Sequence, residues 1–380
     1  MRWMLPDGVE EWLPPASWAL ESLRRQVIDL FARHGFDLIE PPLVEYTDSL
    51  LSGVGSDLEQ KTFAVTDQIN GRRLGFRADI TPQAARIDAN RYADDADAVR
   101  RLCYVGTVLR TQPLVPGGAR SYRQVGAEIF GHAGAQADME VLALMLALLG
   151  VGGQSQLTLD LGHVGIFKAL LPEEIDAADR DSLIQALQRK AVTDLSALAQ
   201  SLGLSSLQVC GLEALCTWHG PVDELATKTH PWTGQAAQSA RDLLELAQMF
   251  RQRFPGVSLH LDSGELSGFH YETGVTWAAY AAGRGRALAR GGRYDGVGEA
   301  FGAARPATGF SADLNALLAD DQPMQSPTMV WAPAAADASL EAEIGRQRDL
   351  GVCVRRALPG EDIPAAAARL VLDNSTWVIK

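Results

Sequence analysis

The chain has 380 residues, 47% of them hydrophobic and 21% charged, enough to bury a sizeable core in two or three domains and unlike a fibrous or disordered sequence. Its net charge of −13 provides no overall positive field to gather a polyanion, which disfavours a basic nucleic-acid binder. Four scattered cysteines, Cys103, Cys210, Cys216 and Cys353, form neither a disulfide framework nor a CxxC pair for zinc; a reducing cytoplasm fits them best.

In chain order, Met1 to Asp7 meets Pro6 before any apolar run develops, so no signal peptide is expected. Leu20, Leu23, Val27, Leu30 and Phe31 recur at helical spacing, predicting an amphipathic helix over 16–34 that Gly35 caps. Phe36 to Glu40 alternates like a strand and is stopped by Pro41 and Pro42. Further strands are expected at Leu74 to Arg77, Leu102 to Leu109, Arg123 to Phe130, Leu157 to Leu161, Val275 to Ala281 and Arg286 to Arg290. They cluster as neighbours instead of alternating with helices, which points to an α+β domain built on an antiparallel sheet. Val141 to Val151 is about half of a ~20-residue membrane span and reads as a buried helix. A helical insertion is expected over about 172–252, with turns at His219-Gly220-Pro221 and His230-Pro231-Trp232. Residues 1–320 then form the main domain. Residues 321–380 form a small α/β C-terminal subdomain in which Met329 to Ala332, Leu340 to Leu350, Val352 to Arg355, Ile363 to Leu370 and Trp377 to Ile379 alternate between strand and helix.

Five polar clusters stand out. In Phe76-Arg77-Ala78-Asp79-Ile80-Thr81-Pro82, Asp79 or Thr81 taken alone reads first as the cap of a helix starting at Pro82, with a ligand group at the sheet's edge as the other reading. Val108 to Gln112 precedes a Gly/Pro-rich loop and then Arg120 to Glu128. There Gln124, Gly126 and Glu128 share one strand face, either solvated or leaving room at the glycine for a small ligand. Gly264 to Gly274 is turn-like. Arg290-Gly291-Gly292-Arg293-Tyr294-Asp295-Gly296 allows close backbone approach but lacks the P-loop pattern, and the nearby Arg284 and Arg286 fit a solvated hairpin. Thr308 to Leu317 reads as a strand leading into a helix.

Taken in order, these clusters resemble the catalytic domain of class II histidyl-tRNA synthetases over roughly residues 6–318. Phe76 to Thr81 is similar to that family's LRxE/DxT segment, and Leu109-Arg110 with Gln124-Val125-Gly126-Ala127-Glu128 to its motif 2 strands. Gly291-Gly292-Arg293-Tyr294-Asp295-Gly296 is similar to its GGRYDG. The resemblance implies an antiparallel sheet of about six strands flanked by helices, and a dimer formed partly through the early helix and the strand before Pro41. It also implies a histidine pocket in which Asp79, Thr81 and Gln124 receive the α-amino group, Arg110 lies near the carboxylate, and Glu128 with Tyr271 reaches the imidazole. Those residue types suit a small zwitterion.

The adenylation residues of the family are not carried over. Its catalytic arginine in RGLDYY falls on Leu266. The last three marked positions of its motif 3 fall on Asp313, Asn315 and Ala316, and its motif 2 glutamate on Gln112. One lost charge-stabilising donor costs roughly 10²–10³ in rate, and an arginine at a phosphoryl centre is worth roughly 10³–10⁵. The segment after Leu317 is too short for the family's anticodon-binding domain. With Leu5 to Glu10, Leu74 to Gln83 and Leu159 to Val164, the chain resembles the noncatalytic regulatory subunits of ATP phosphoribosyltransferase, which are paralogues of the synthetase. That implies a partner in the short-form catalytic subunit, a hetero-octamer containing dimers of this chain, L-histidine as effector, a cytoplasmic location, and no cofactor, metal, tRNA or membrane. A divergent histidine-adenylating ligase and a sensor of another amino acid are the alternatives.

Overall fold

The computed structural model describes residues 3–52, 56–95, 97–113, 117–172, 174–266, 272–302, 304–318 and 328–380. They fall into two compact units, Met1–Glu11 with Leu23–Asp320, and Trp12–Ser22 with Asp321–Lys380. In chain order the first elements are α1 (Ala16–Arg33), β1 (Asp37–Leu38), β2 (Val44–Tyr46), α2 (Thr47–Leu50), α3 (Ser56–Lys61), β3 (Ala64–Thr66), β4 (Arg73–Phe76), α4 (Thr81–Arg91), β5 (Arg100–Leu109), β6 (Ser121–Phe130), α5 (Ala135–Val151), β7 (Leu157–His163) and α6 (Val164–Lys168). Next come α7 (Ala177–Gln188), α8 (Val192–Ser201), α9 (Ser206–Thr217), β8 (His219–Pro221), α10 (Val222–Thr227), α11 (Gly234–Arg253), β9 (Ser258–Asp262), β10 (Val275–Ala281), β11 (Ala289–Arg293), β12 (Ala307–Asp313) and α12 (Leu314–Leu317). The chain ends with β13 (Met329–Ala332), α13 (Ala338–Asp349), β14 (Cys353–Arg356), β15 (Leu370–Asp373) and β16 (Thr376–Ile379).

The apolar stripe of α1 is buried as its spacing predicts, with Leu20, Leu23, Val27, Leu30 and Phe31 each at most 7% exposed. The helix ends where Gly35 takes φ +76°, a conformation that costs glycine nothing. The strand expected over Phe36 to Glu40 shrinks to the two residues of β1.

Among the described residues the main sheet has nine strands in the order β1-β5-β6-β12-β11-β10-β7-β9-β8. The six from β5 to β7 are antiparallel to their neighbours. Parallel pairs flank them, β1 with β5 and β7 with β9, which an antiparallel reading did not anticipate. A parallel pair requires a long crossover, and between β7 and β9 the helices α6 to α11 supply it. Three further expectations are corrected in this unit. His219-Gly220-Pro221 is not a turn but edge strand β8, the one kind of strand that tolerates a residue without N–H. Leu74 to Arg77 supplies β4 to a separate three-stranded sheet, β2-β4-β3. The strand expected at Arg286 to Arg290 lies three residues later, because Gly291 and Gly292 are strand residues here despite their low strand propensity.

The alternation of side chains gives the main sheet two distinct faces. Helix α5 packs against β6, β11 and β12, and Arg293 reaches it in a buried ion pair, Nη2 to Asp138 Oδ1 at 2.9 Å. Tyr294, one residue on, faces the other way. It joins a core with Ile80, Ala84, Tyr104, Tyr122 and Val297, so that α4 covers one end of that second face. This second face carries the candidate site.

In the second unit, β13 and β14 pair in parallel with α13 as their crossover, around Val330, Leu340, Ile344, Val354 and Leu370. Asp337 caps α13 by accepting from the Ser339 N–H at 2.7 Å. No helix forms over Ile363 to Leu370. The chain is irregular after Pro364, the Ala368 carbonyl accepts from Trp331 N–H at 2.8 Å, and β15 begins at Leu370. β15 returns through Asn374 and Ser375, both at positive φ, in a tight hairpin to β16.

Candidate functional site

The centre of the site follows from register. Glu128 of β6 is paired with Gly309 of β12, Gly309 with Gly292 of β11, Gly292 with Thr276 of β10, and Thr276 with Gly162 of β7. Residues directly opposite one another share a face, so three glycines form the floor of a trough across the sheet with polar side chains along it. Each floor position is closely overlain. A Cβ at Gly309 would collide with Glu128 Oε2. One at Gly292 would stand 2.8 Å from the Glu272 carboxyl carbon, and one at Gly162 2.9 Å from Thr276 Oγ1.

At one end, Glu128 is 1% exposed and accepts from Tyr104 Oη at 2.8 Å and Tyr294 Oη at 2.5 Å. Burial pushes its pKa up to about 8, although the hydroxyls of Tyr294, Tyr104 and Thr81 pull it back. Tyr104 continues the network to Thr81 Oγ1 at 2.9 Å. The gap read at Gly126 is therefore not vacant, since the Tyr104 hydroxyl occupies the space a side chain there would need. Gln124, 1% exposed, accepts from the Ile80 N–H at 2.9 Å and donates Nε2 to Asp79 Oδ1 at 2.9 Å. Asp79 Oδ1 also accepts from the Thr81 N–H at 2.9 Å, but Ile80 holds the N-cap position of α4, so neither Asp79 nor Thr81 is its cap residue. The helix begins at Thr81, one residue before Pro82. Arg110 lies beside this group, with Nη2 3.9 Å from Asp79 Oδ2, Nε donating to the Ala78 carbonyl at 2.9 Å, and the guanidinium over the Tyr122 ring.

Five of the six residues singled out from the sequence, Asp79, Thr81, Arg110, Gln124 and Glu128, thus lie in one neighbourhood. Tyr271 lies outside the described residues. The sequence reading missed Tyr104 and Tyr294, which hold Glu128. Tyr294 was within reach, since it sits in the Gly-Gly-Arg-Tyr-Asp segment, whose parts prove separable. Gly292 forms floor, Arg293 grips α5 on the opposite face, Tyr294 holds Glu128, and Asp295 accepts from the Ala307 N–H at 2.9 Å.

The rim opposite Gln124 is formed by Asp313, its register partner on β12. Asp313 Oδ1 caps α12 by accepting from the Asn315 N–H at 2.9 Å and the Ala316 N–H at 3.3 Å, and Arg286 Nη2 lies 3.9 Å from Oδ2. Burial raises its pKa. At the other end of the trough Glu272 is 3% and Thr276 2% exposed, and among the described residues Glu272 Oε2 and Thr276 Oγ1 have no hydrogen-bond partner. A polar group buried in that state costs about 1–3 kcal/mol. Among the described residues no cluster of His, Cys, Asp and Glu could hold a metal ion, and no helix is long and apolar enough to cross a membrane.

The family model for histidyl-tRNA synthetase matches residues 8–317, and that for the ATP phosphoribosyltransferase subunit HisZ C-terminal domain matches residues 327–380. A protein of Thioalkalivibrio sulfidiphilus described as an ATP phosphoribosyltransferase regulatory subunit is 44% identical over 372 residues, 96% of this chain and 94% of that one. The crystal structure of an ATP phosphoribosyltransferase regulatory subunit/histidyl-tRNA synthetase from Bacillus halodurans superposes with a TM-score of 0.80 at 26% identity, covering 96% of this chain and 95% of that one. The ATP phosphoribosyl transferase (HisG:HisZ) complex from Thermotoga maritima contains a chain with the same fold, TM-score 0.59 at 17% identity, covering 80% and 98%.

Proposed function

The chain belongs to the regulatory subunits of ATP phosphoribosyltransferase, proteins with the class II histidyl-tRNA synthetase fold, and on that premise we propose that it senses L-histidine in the trough and passes its occupancy to the catalytic subunit. As a regulatory subunit it serves the first step of histidine biosynthesis and has no catalytic role of its own. The observation that carries the sensing role is the continuous network Asp79–Gln124 and Thr81–Tyr104–Glu128 beside Arg110. Carboxylate and amide oxygens suit an ammonium, and a guanidinium suits a carboxylate. The histidine-binding residues in this reading are Asp79, Thr81, Arg110, Gln124, Glu128 and Tyr271.

The same reading explains why the trough does not activate its ligand. Adenylate formation needs cations where charge builds on the phosphates. Leu266 is an apolar side chain, 2% exposed, and Ala316 carries no charge. Asp313 puts a carboxylate on the rim, where it would repel a phosphate. The regulatory chain would act with the short-form catalytic subunit in a cytoplasmic hetero-octamer, without tRNA, for which a charge of −13 offers no electrostatic footprint.

Phosphoribosyl-ATP formation by a short-form catalytic subunit from the same source, with and without this chain and across a histidine titration, tests the reading. Activity should appear only with the chain and fall as histidine rises. Asp79→Ala should raise the half-inhibitory histidine concentration about tenfold, a coupling of about 1–3 kcal/mol being ordinary. An Asp79→Ala assembly as sensitive as wild type would refute the pocket. Histidine-dependent pyrophosphate exchange by the chain alone would instead establish an adenylating ligase.

A further inference from the structure

We infer that the helical insertion clasps the segment that follows β9 at the edge of the trough, with Lys190 as its positioning residue, so that insertion and trough respond to the ligand as one unit. The inference rests on the histidine-sensing reading and deepens it by naming the part of the fold that feels occupancy. The segment Asp262 to Glu265 passes over the floor glycine Gly162. The main-chain oxygens of Asp262 and Glu265 stand 2.9 and 3.0 Å from where a Cβ at Gly162 would lie. The insertion holds this segment through β8, α9 and α7. Strand β8 pairs with β9 as far as Asp262, which lies opposite His219. Ser263, fully buried, donates its N–H at 3.3 Å and its Oγ at 3.0 Å to the carbonyl of Trp218, which ends α9. Lys190 Nζ, just past the end of α7, donates to Asp262 Oδ1 at 2.6 Å.

The backbone at Lys190 singles it out. It sits at φ +52°, a left-handed helix-end position that glycine takes freely and other residues seldom do. Its N–H donates to the Leu187 carbonyl at 2.8 Å and that of Ala191 to the Ala186 carbonyl at 3.0 Å, so closing the helix needs only the main chain. A lysine held in this strained position is accounted for by what its side chain reaches. Asp262 Oδ1 accepts from Lys190 Nζ and also from the Gly264 N–H, the latter at 2.9 Å. The ammonium lies so close that a Cβ at Gly264 would stand 2.8 Å from it. One charged contact thus fixes the turn with which the segment begins. A ligand that needs the segment in place binds more weakly when the clasp is open, and by linkage its binding tightens the clasp.

Calorimetry with L-histidine on the full chain, beside hydrogen exchange of α7 and α9 with and without saturating L-histidine, tests the coupling. Lys190→Gly is the sharp variant, because it removes the ammonium while relieving the left-handed backbone. Its urea midpoint should stay near that of wild type. Its histidine affinity should nevertheless fall about tenfold, as when a competent form drops to about a tenth of the population. Lys190→Arg, which keeps the charge, should hold the affinity within about threefold of wild type. In wild type, histidine should slow exchange at the ends of α7 and α9 about tenfold, and Lys190→Gly should lose that protection. Should Lys190→Gly not fold, Ser263→Ala, which cuts the hydroxyl bond to Trp218, decides by the same fall in affinity or its absence. Unchanged histidine affinity would overturn the clasp, as would a wild-type insertion whose exchange ignores histidine, or Lys190→Arg binding no better than Lys190→Gly. Wild type that binds no histidine would instead overturn the sensing reading itself, and the coupling with it.

Discussion

Glu128 and Glu272 lie over register partners, Gly309 and Gly292, on the same face of one sheet, and the protein treats them in opposite ways. Glu128 has two tyrosine hydroxyls aimed at it, whereas Glu272 Oε2 has no donor among the described residues. Both have raised pKa values, and in both burial is the first cause. The difference teaches that burial alone does not assign a role. The Glu128 carboxyl is fixed in place by two donors built into the fold, whereas the protein supplies none to Glu272 Oε2 among the described residues.

Substitutions along the trough would break or sharpen that contrast. The largest effect is expected from Gly309→Ala, whose Cβ would overlap Glu128 Oε2 and stand 2.8 Å from the Ala127 carbonyl. A loss of about 3 kcal/mol or more in urea denaturation should follow, or no folded protein at all. Next comes the pH dependence of Glu128. Its folded pKa of about 8 lies above the ordinary glutamate value of 4.5, so between those values the folded chain binds more protons than the unfolded one. Stability should therefore fall as pH rises from 4.5 to 8, by a few kcal/mol at most. Glu128→Gln should remove that slope when unfolding is measured at several pH values.

Tyr104→Phe and Tyr294→Phe each delete one donor to Glu128 and should each cost about 1–3 kcal/mol. Combined, they should be non-additive, since both act on one carboxyl. The smallest expected effect has the opposite sign. Thr276→Val replaces a buried hydroxyl that is unpaired among the described residues with a methyl group and should be neutral or stabilising by up to about 1 kcal/mol. A clear loss of stability there would mean that Thr276 has a partner in the free protein and would erase the contrast between the two ends.

Much of this was legible in the sequence where the signal is local. The stripe of α1, the alternation of Gln124, Gly126 and Glu128, and the strand-to-helix passage at Asp313 each follow from a period of two or of about 3.6 residues. Motif order brought five of the six proposed ligand residues into one neighbourhood. Tyr104 and Thr276 escaped notice because nothing in their own segments marks them. Tyr104 matters through Glu128 on the neighbouring strand, and Thr276 matters because its neighbours on both sides are glycines from distant parts of the chain. Glu272 lay in a noted cluster, but only the structure reveals that its Oε2 is buried without a donor among the described residues.

The sequence by itself determined that Gln124, Gly126 and Glu128 share a strand face and where α1 ends, because these depend on residue identity and local geometry. Only the tertiary structure decided that β1 and β9 join the sheet in parallel, that Gly126 is filled by a tyrosine hydroxyl, and that Glu128 has two donors while Glu272 Oε2 has none among the described residues. Register and desolvation are set by contacts between segments far apart in the chain, and no local pattern encodes which donor will meet which buried acceptor.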